Sequence, residues 1–147
     1  MTALYSYWRS SASWRVRIAL ALKGVEYEYR AVHLVKDGGE QHSELYHLLN
    51  PARLLPTLEI DGHRISESLA ILRYLDETRP EPPLVPRDPY LAAKAWQIAE
   101  MINAGTQPLQ NLRVMQRLGT QFGASPDEQR AWSAHWIGTG LEAVETL

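Results

Sequence analysis

The sequence predicts an α/β amino-terminal domain joined to an all-α carboxy-terminal domain, and three observations carry that expectation. Segments of strand and helix character alternate through the first half of the chain. More than half of its nine prolines then crowd between Arg79 and Pro89. Beyond Pro89 the apolar residues recur only at helical spacing. The expected division is a domain over 1–79, a linker over 80–89 and a helical region over 90–147.

The chain opens with a short aromatic strand, Leu4-Tyr5-Ser6-Tyr7-Trp8, which runs into hydroxyl-rich Ser10-Ser11-Ala12-Ser13 and then into an apolar-periodic helix closed by Gly24. Val25 to Val32 alternates like a half-buried strand. Lys36 to Glu40 is turn material, and Gln41 to Leu49 predicts a short polar helix ended by Asn50-Pro51. Leu55 to Ile65 reads as a hairpin turning at Asp61-Gly62, because that dipeptide tolerates the positive φ angles of a tight hairpin turn. Ser66-Glu67-Ser68 starts a helix carrying Leu69, Ile71, Leu72 and Leu75. This order of strand, helix, strand, helix, strand, strand, helix is thioredoxin-like.

Proline lacks a donor and fixes φ, so the 80–89 stretch predicts a stiff extended linker. After it, Leu91, Ile98, Ile102, Leu109 and Leu112 form one helical stripe, with Gly105 and Pro108 marking a kink. Ser125-Pro126-Asp127-Glu128 is a capping box with proline at the first helical position, opening a helix through Trp132, Trp136, Leu141 and Val144.

Composition narrows the function. A formal net charge of −2 without a basic stripe argues against nucleic-acid or anionic-lipid partners. No apolar run reaches the length of a membrane span and no export signal is visible, so a cytoplasmic location is expected. The chain has no cysteine, which excludes disulfides, thiolate metal sites and cysteine redox chemistry by the protein itself. A thiol acting here arrives with a ligand. Five histidines lack paired helical spacing, so no metal site is expected.

The start of the first helix is the leading site candidate. Hydroxyls and backbone N–H groups at a helix N-terminus, beside Arg9 and Arg15, favour an anion or thiolate in front of the helix. Taken alone, Ser10, Ser11 and Ser13 also read as plain helix caps.

The block Ser10-Ser11-Ala12-Ser13-Trp14-Arg15-Val16-Arg17-Ile18-Ala19-Leu20 resembles the signature of the zeta class of glutathione transferases, Ser-Ser-Cys followed by an Arg-Val-Arg-Ile-Ala-Leu run. The family cysteine is Ala12 here. The resemblance implies the glutathione transferase fold with an incomplete second domain, glutathione as cofactor, and a homodimer acting on a small molecule. It implies Ser10, with Ser11 beside it, as the catalytic pair that donates to the glutathione sulfur. The remaining ligand contacts it implies are Ala12, Ser13, Trp14 and Arg15 on the same loop and helix, Gln41 at the glycyl end, and Leu55 before a cis Pro56. Glu67 and Ser68 at the γ-glutamyl end, and Gln107 and Asn111 one helical turn apart facing the cleft, complete the set. Arg9 and Arg15 are the cations for a substrate carboxylate.

The activity so implied is glutathione-dependent cis–trans isomerisation of maleylacetoacetate or maleylpyruvate in aromatic amino-acid or aromatic-compound catabolism. A zeta-class transferase acting in conjugation or dehalogenation is the alternative, and a non-catalytic glutathione-binding module is the third reading.

Overall fold

The computed structural model describes residues 1–147, which divide into two units, Met1–Val85 and Pro86–Leu147. The boundary falls inside the proline-rich stretch. In the first unit the elements are β1 (Ala3–Ser6), α1 (Ser11–Leu22), β2 (Glu28–Ala31), two short 3₁₀ turns (Lys36–Gly38 and Glu40–His42), α2 (Glu44–Leu49), β3 (Thr57–Ile60), β4 (His63–Ser66) and α3 (Ser68–Thr78). The strands form one mixed sheet in the order β2-β1-β3-β4, with β1 parallel to β2 and antiparallel to β3. This is the thioredoxin-like arrangement.

Strand alternation separates the two faces of the sheet. Leu4, Leu58 and Ile60 meet Val16, Ala19 and Leu20 of α1 and Ile71 and Leu75 of α3 in the core. Tyr5, Arg30, Glu59 and Arg64 occupy the other face, where Glu59 accepts from Arg30 at 3.2 Å and from Arg64 at 2.9 Å. Helix α1 stops because Gly24, at φ 63°, lets the chain turn back; its N–H donates to Ala21 O and that of Val25 to Leu20 O.

Three expectations need correction. The second strand begins at Glu28, not at Val25, and as the edge of the sheet it is mostly exposed; Val25 and Tyr27 pack on the core from the preceding loop instead. The 41–49 helix is split, since Ser43 is extended and caps α2 by accepting from the Tyr46 N–H at 3.2 Å. Ser66 closes β4, so the third helix begins only at Ser68. The Asp61-Gly62 turn stands as expected, with φ angles of 53° and 79°.

The first half of the proline-rich segment is fastened to the first unit. Lys23 Nζ, fully buried, lies 2.6 Å from Asp76 Oδ1 and also donates to Pro82 O, while the Leu84 N–H donates to the same aspartate at 2.8 Å. Leu84 packs on the core, and the Glu81–Pro82 bond is cis.

The second unit contains α4 (Pro89–Glu100), a π-helical turn (Met101–Thr106), α5 (Gln107–Gln110), α6 (Leu112–Phe122) and α7 (Pro126–Glu145). The expected kink is present as the π turn, next to Pro108, which has no N–H to continue the α ladder. Thr106 is buried against Gly140 of α7, where any Cβ would collide with its hydroxyl. The single stripe expected through Leu112 is broken, because Asn111 turns extended and α6 starts afresh. The capping box at Ser125 forms, with the Ser125 N–H donating to Glu128 at 2.7 Å. No helix is long and apolar enough to cross a membrane.

Burial pushes the Asp76 carboxyl up, but hydrogen bonds from Lys23 and from the Leu84 and Val85 N–H groups outweigh it and hold the group below its ordinary value. Stability from this pair is therefore complete above the ordinary carboxylate range and is lost as pH falls through the lowered value. Asp76→Ala leaves the buried Lys23 ammonium with the Pro82 carbonyl but no counter-charge and should cost about 3 kcal/mol, read as a lower thermal midpoint at neutral pH. The gap from the parent should narrow in acid.

Candidate functional site

Ser10 is the N-cap of α1, at φ −75° and ψ 112°, and its Oγ accepts from the Ser13 N–H at 3.1 Å. A capping hydroxyl uses a lone pair and keeps its proton, so Ser10 can cap the helix and still donate to a ligand. The two readings of this serine hold together. The Ser10 N–H donates to Tyr7 O at 3.0 Å, which fixes Trp8 and Arg9 at the tip of a turn. Trp8 is 68% exposed and Trp14 62%, so two indoles meet water on either side of the helix start.

The residues around Ser10 separate by depth. Ser11 is exposed and Ala12 half-buried, whereas Ser13 is fully buried and turned into the protein, its Oγ without a partner. Arg9 is exposed with its guanidinium 5.7 Å from the Trp8 ring centre. Arg15 Nη1 donates to Ser68 Oγ at 2.7 Å, which ties α1 to the N-terminus of α3. The two arginines proposed for a substrate carboxylate thus have different surroundings.

Glu67 is the hinge between β4 and α3, with φ 68° and ψ 116°. A positive φ is costly for a residue with a Cβ, and such strain gathers at binding sites. Its exposed carboxylate makes no capping hydrogen bond, so it stands at the helix start without a task in the fold. Ser68 behind it is 3% exposed.

The Leu55–Pro56 bond is cis, as expected, and neither the N–H nor the C=O of Leu55 joins a backbone hydrogen bond outside the strands. Gln41 is buried on the second 3₁₀ turn, its side chain seated on Gly39, which takes φ 104°. Its Nε2 donates to Leu34 O at 3.4 Å, and its Oε1 is buried with no partner. A buried acceptor left unmet is costly and suits a site that a ligand donor completes.

Gln107 and Asn111 belong to the second unit and are not on one continuous helix. Helix α5 ends at Gln110, and Asn111 caps α6, its Oδ1 accepting from the Arg113 N–H at 3.1 Å. The expected pairing one turn apart is corrected on that point, because an Asn side chain competes with the helix by capping the next one.

The sequence reading passed over a buried cluster of Tyr46, Asn50 and Thr57 below the Leu55 segment. Burial raises the Tyr46 phenol pKa against the lowering effect of the Thr57 hydroxyl and the Asn50 amide beside it. Asn50 was legible only as a helix stop before Pro51.

Residues 4–83 match the family "Glutathione S-transferase, N-terminal domain". The chain belongs to the glutathione S-transferase family. It is 52% identical over 146 residues to the maleylacetoacetate isomerase of Dictyostelium discoideum, covering 99% of this chain and 66% of that protein. Among solved structures, a maleylpyruvate isomerase described as a bacterial zeta-class glutathione S-transferase superposes with a TM-score of 0.95 at 39% identity, over 99% of this chain and 68% of that one. The maleylacetoacetate isomerase of Methylobacterium extorquens AM1, solved with malonate and glutathione bound, gives 0.93 at 39% identity, over 98% and 67%. These matches place the glutathione transferase chain in the zeta branch. It spans about 60–66% of the length of the first curated relatives it matches.

Relieving the hinge should separate stability from recognition. Glu67→Gly removes the cost of the positive φ and should stabilise the chain by about 1 kcal/mol, measured by denaturant titration. A fall in stability would show that the Glu67 side chain supports the fold after all.

Proposed function

We propose that this chain provides the glutathione site of a glutathione-dependent isomerase that converts the cis double bond of maleylacetoacetate or maleylpyruvate to trans. The observation that carries the reading is Ser10, a helix cap that keeps a hydroxyl proton at the N-terminus of α1, inside the zeta-type serine block.

The residues present fit glutathione. Its thiol would lie before α1, where the Ser10 O–H donates and the helix dipole favours negative charge. Leu55 would pair its N–H and C=O with the cysteinyl backbone, as an added strand does. The α3 N-terminus with Ser68 would take the γ-glutamyl carboxylate, Glu67 its ammonium, and Gln41, whose Oε1 lacks a donor, the glycyl end. Ser11, Ala12 and Trp14 on the first turn of α1 complete the surroundings of the sulfur, with Ser13 contributing through its N–H, which holds the Ser10 hydroxyl in place. Gln107 and Asn111 are the second unit's candidates. When bound, glutathione supplies a nucleophile that adds reversibly to an activated double bond and so permits rotation. The protein's part is to orient that thiol, stabilise its ionised form and hold a substrate carboxylate, for which exposed Arg9 is the leading candidate and Arg15 the second.

Isomerisation is favoured over reductive dehalogenation by Ala12. Resolving a glutathione–substrate adduct by thiol exchange suits a protein cysteine, and the chain has none. The same reading includes a cytoplasmic homodimer serving aromatic amino-acid or aromatic-compound breakdown.

Reduced glutathione should show a saturable site in calorimetric titration, and no heat and no thermal shift at millimolar ligand would reject the proposal. Donation from Ser10 favours the thiolate, so it lowers the thiol pKa from the free value of about 8.5. Ser10→Ala should therefore raise the pH at which bound glutathione develops thiolate absorbance by about one unit, and Ser11→Ala by less.

A further inference from the structure

The Tyr46, Asn50 and Thr57 cluster takes no part in the site as assembled above, yet its donors can be counted and they converge on one carbonyl. Tyr46 has a single hydroxyl proton, and Leu54 O, 2.7 Å from Tyr46 Oη, can only accept, so the proton goes to Leu54. Thr57 must then donate to Tyr46 across their 3.0 Å contact. The two protons of Asn50 Nδ2 go to Leu54 O at 2.9 Å and to Thr57 Oγ1 at 3.2 Å, while Asn50 Oδ1 accepts from the Ala52 N–H at 3.0 Å. Every proton of the cluster has an acceptor, and the Leu54 carbonyl receives two.

Those two bonds act one atom further along the chain. The peptide between Leu54 and Leu55 is trans, the cis bond being the next one. In a planar trans peptide the C=O and N–H point to opposite sides. Drawing the Leu54 carbonyl inward toward α2 therefore turns the Leu55 N–H away from the cluster, and that N–H has no backbone acceptor in the fold. Tyr46 within α2 and Asn50 at its C-cap are four residues apart, and both are buried, so their donors cannot swing to water.

From this juxtaposition we propose that Tyr46 and Asn50 are positioning residues: they fix the peptide plane whose Leu55 N–H pairs with the ligand's cysteinyl backbone. The inference rests on the glutathione reading above. Thr57 has a different part, since its hydroxyl completes the cluster without touching the Leu54 carbonyl.

Calorimetric titration of the whole chain with two ligands tests this. Reduced glutathione presents the cysteinyl C=O to the Leu55 N–H, and γ-glutamylethylamide, which carries the γ-glutamyl group but no carbonyl at that position, does not. Tyr46→Phe keeps the ring and withdraws one donor from Leu54, so glutathione affinity should fall about tenfold while γ-glutamylethylamide binds as to the parent. Asn50→Ser withdraws the other donor, should give the same pattern, and serves if Tyr46→Phe does not fold. Thr57→Val should lower the thermal midpoint much as Tyr46→Phe does, yet change glutathione affinity by less than about twofold, because both donors to Leu54 remain. Equal losses in Tyr46→Phe and Thr57→Val, or equal losses for the two ligands, would show a cluster that only stabilises the fold and would overturn the inference. Parent-level glutathione affinity in Tyr46→Phe would overturn it alone. A parent chain that binds neither ligand would remove the glutathione reading together with it.

Discussion

Arg15 Nη1 lies 2.7 Å from Ser68 Oγ, and through that bond a guanidinium stands at the start of α3, where the helix amides already carry partial positive charge. In the first unit α1 and α3 lie on the same face of the sheet, and each is entered through a polar residue, Ser10 or Glu67, that departs from helical geometry. The contact holds the two starts in register. It also sets a guanidinium beside the helix amides, a combination that favours an anion. The fold and the candidate site are joined at this point, since the apolar packing of Val16 and Ile71 decides where the two N-termini stand.

Features set by neighbours in sequence were legible in it. The helix from the serine block to Gly24, the Asp61-Gly62 hairpin and the Ser125 capping box each depend on residues within one turn of each other, and each formed as expected. Features set by position in the sheet were not. The alternation of Val25 to Val32 marks apolar contacts but cannot say that the strand lies at an edge, where only Glu28–Ala31 pairs and the rest packs as loop. Asn111 looked like a helix residue because its role as a cap appears only once α5 has ended.

The candidate site divides along the same line. Ser10, Leu55, Glu67 and Ser68 were found from a motif, because their chemistry sits in short runs. Arg15 was visible as a cation, but its partner is 53 residues away. The Tyr46–Thr57 contact spans 11 residues and joins a helix to a strand, so no local pattern announces it. Glu67 had a readable charge and an unreadable backbone angle. Gln41 shows the cost of such construction: an acceptor buried without a donor lowers the stability of the fold.

The turn from Tyr7 to Ser10 has an optical consequence. Indole emission shifts with the polarity around the ring, and Trp8 and Trp14 bracket the α1 start with 68% and 62% of their surface in water. Anything that settles before Ser10 and shields those rings changes the light they give. The chain thus carries a native reporter at the candidate site, readable without a label.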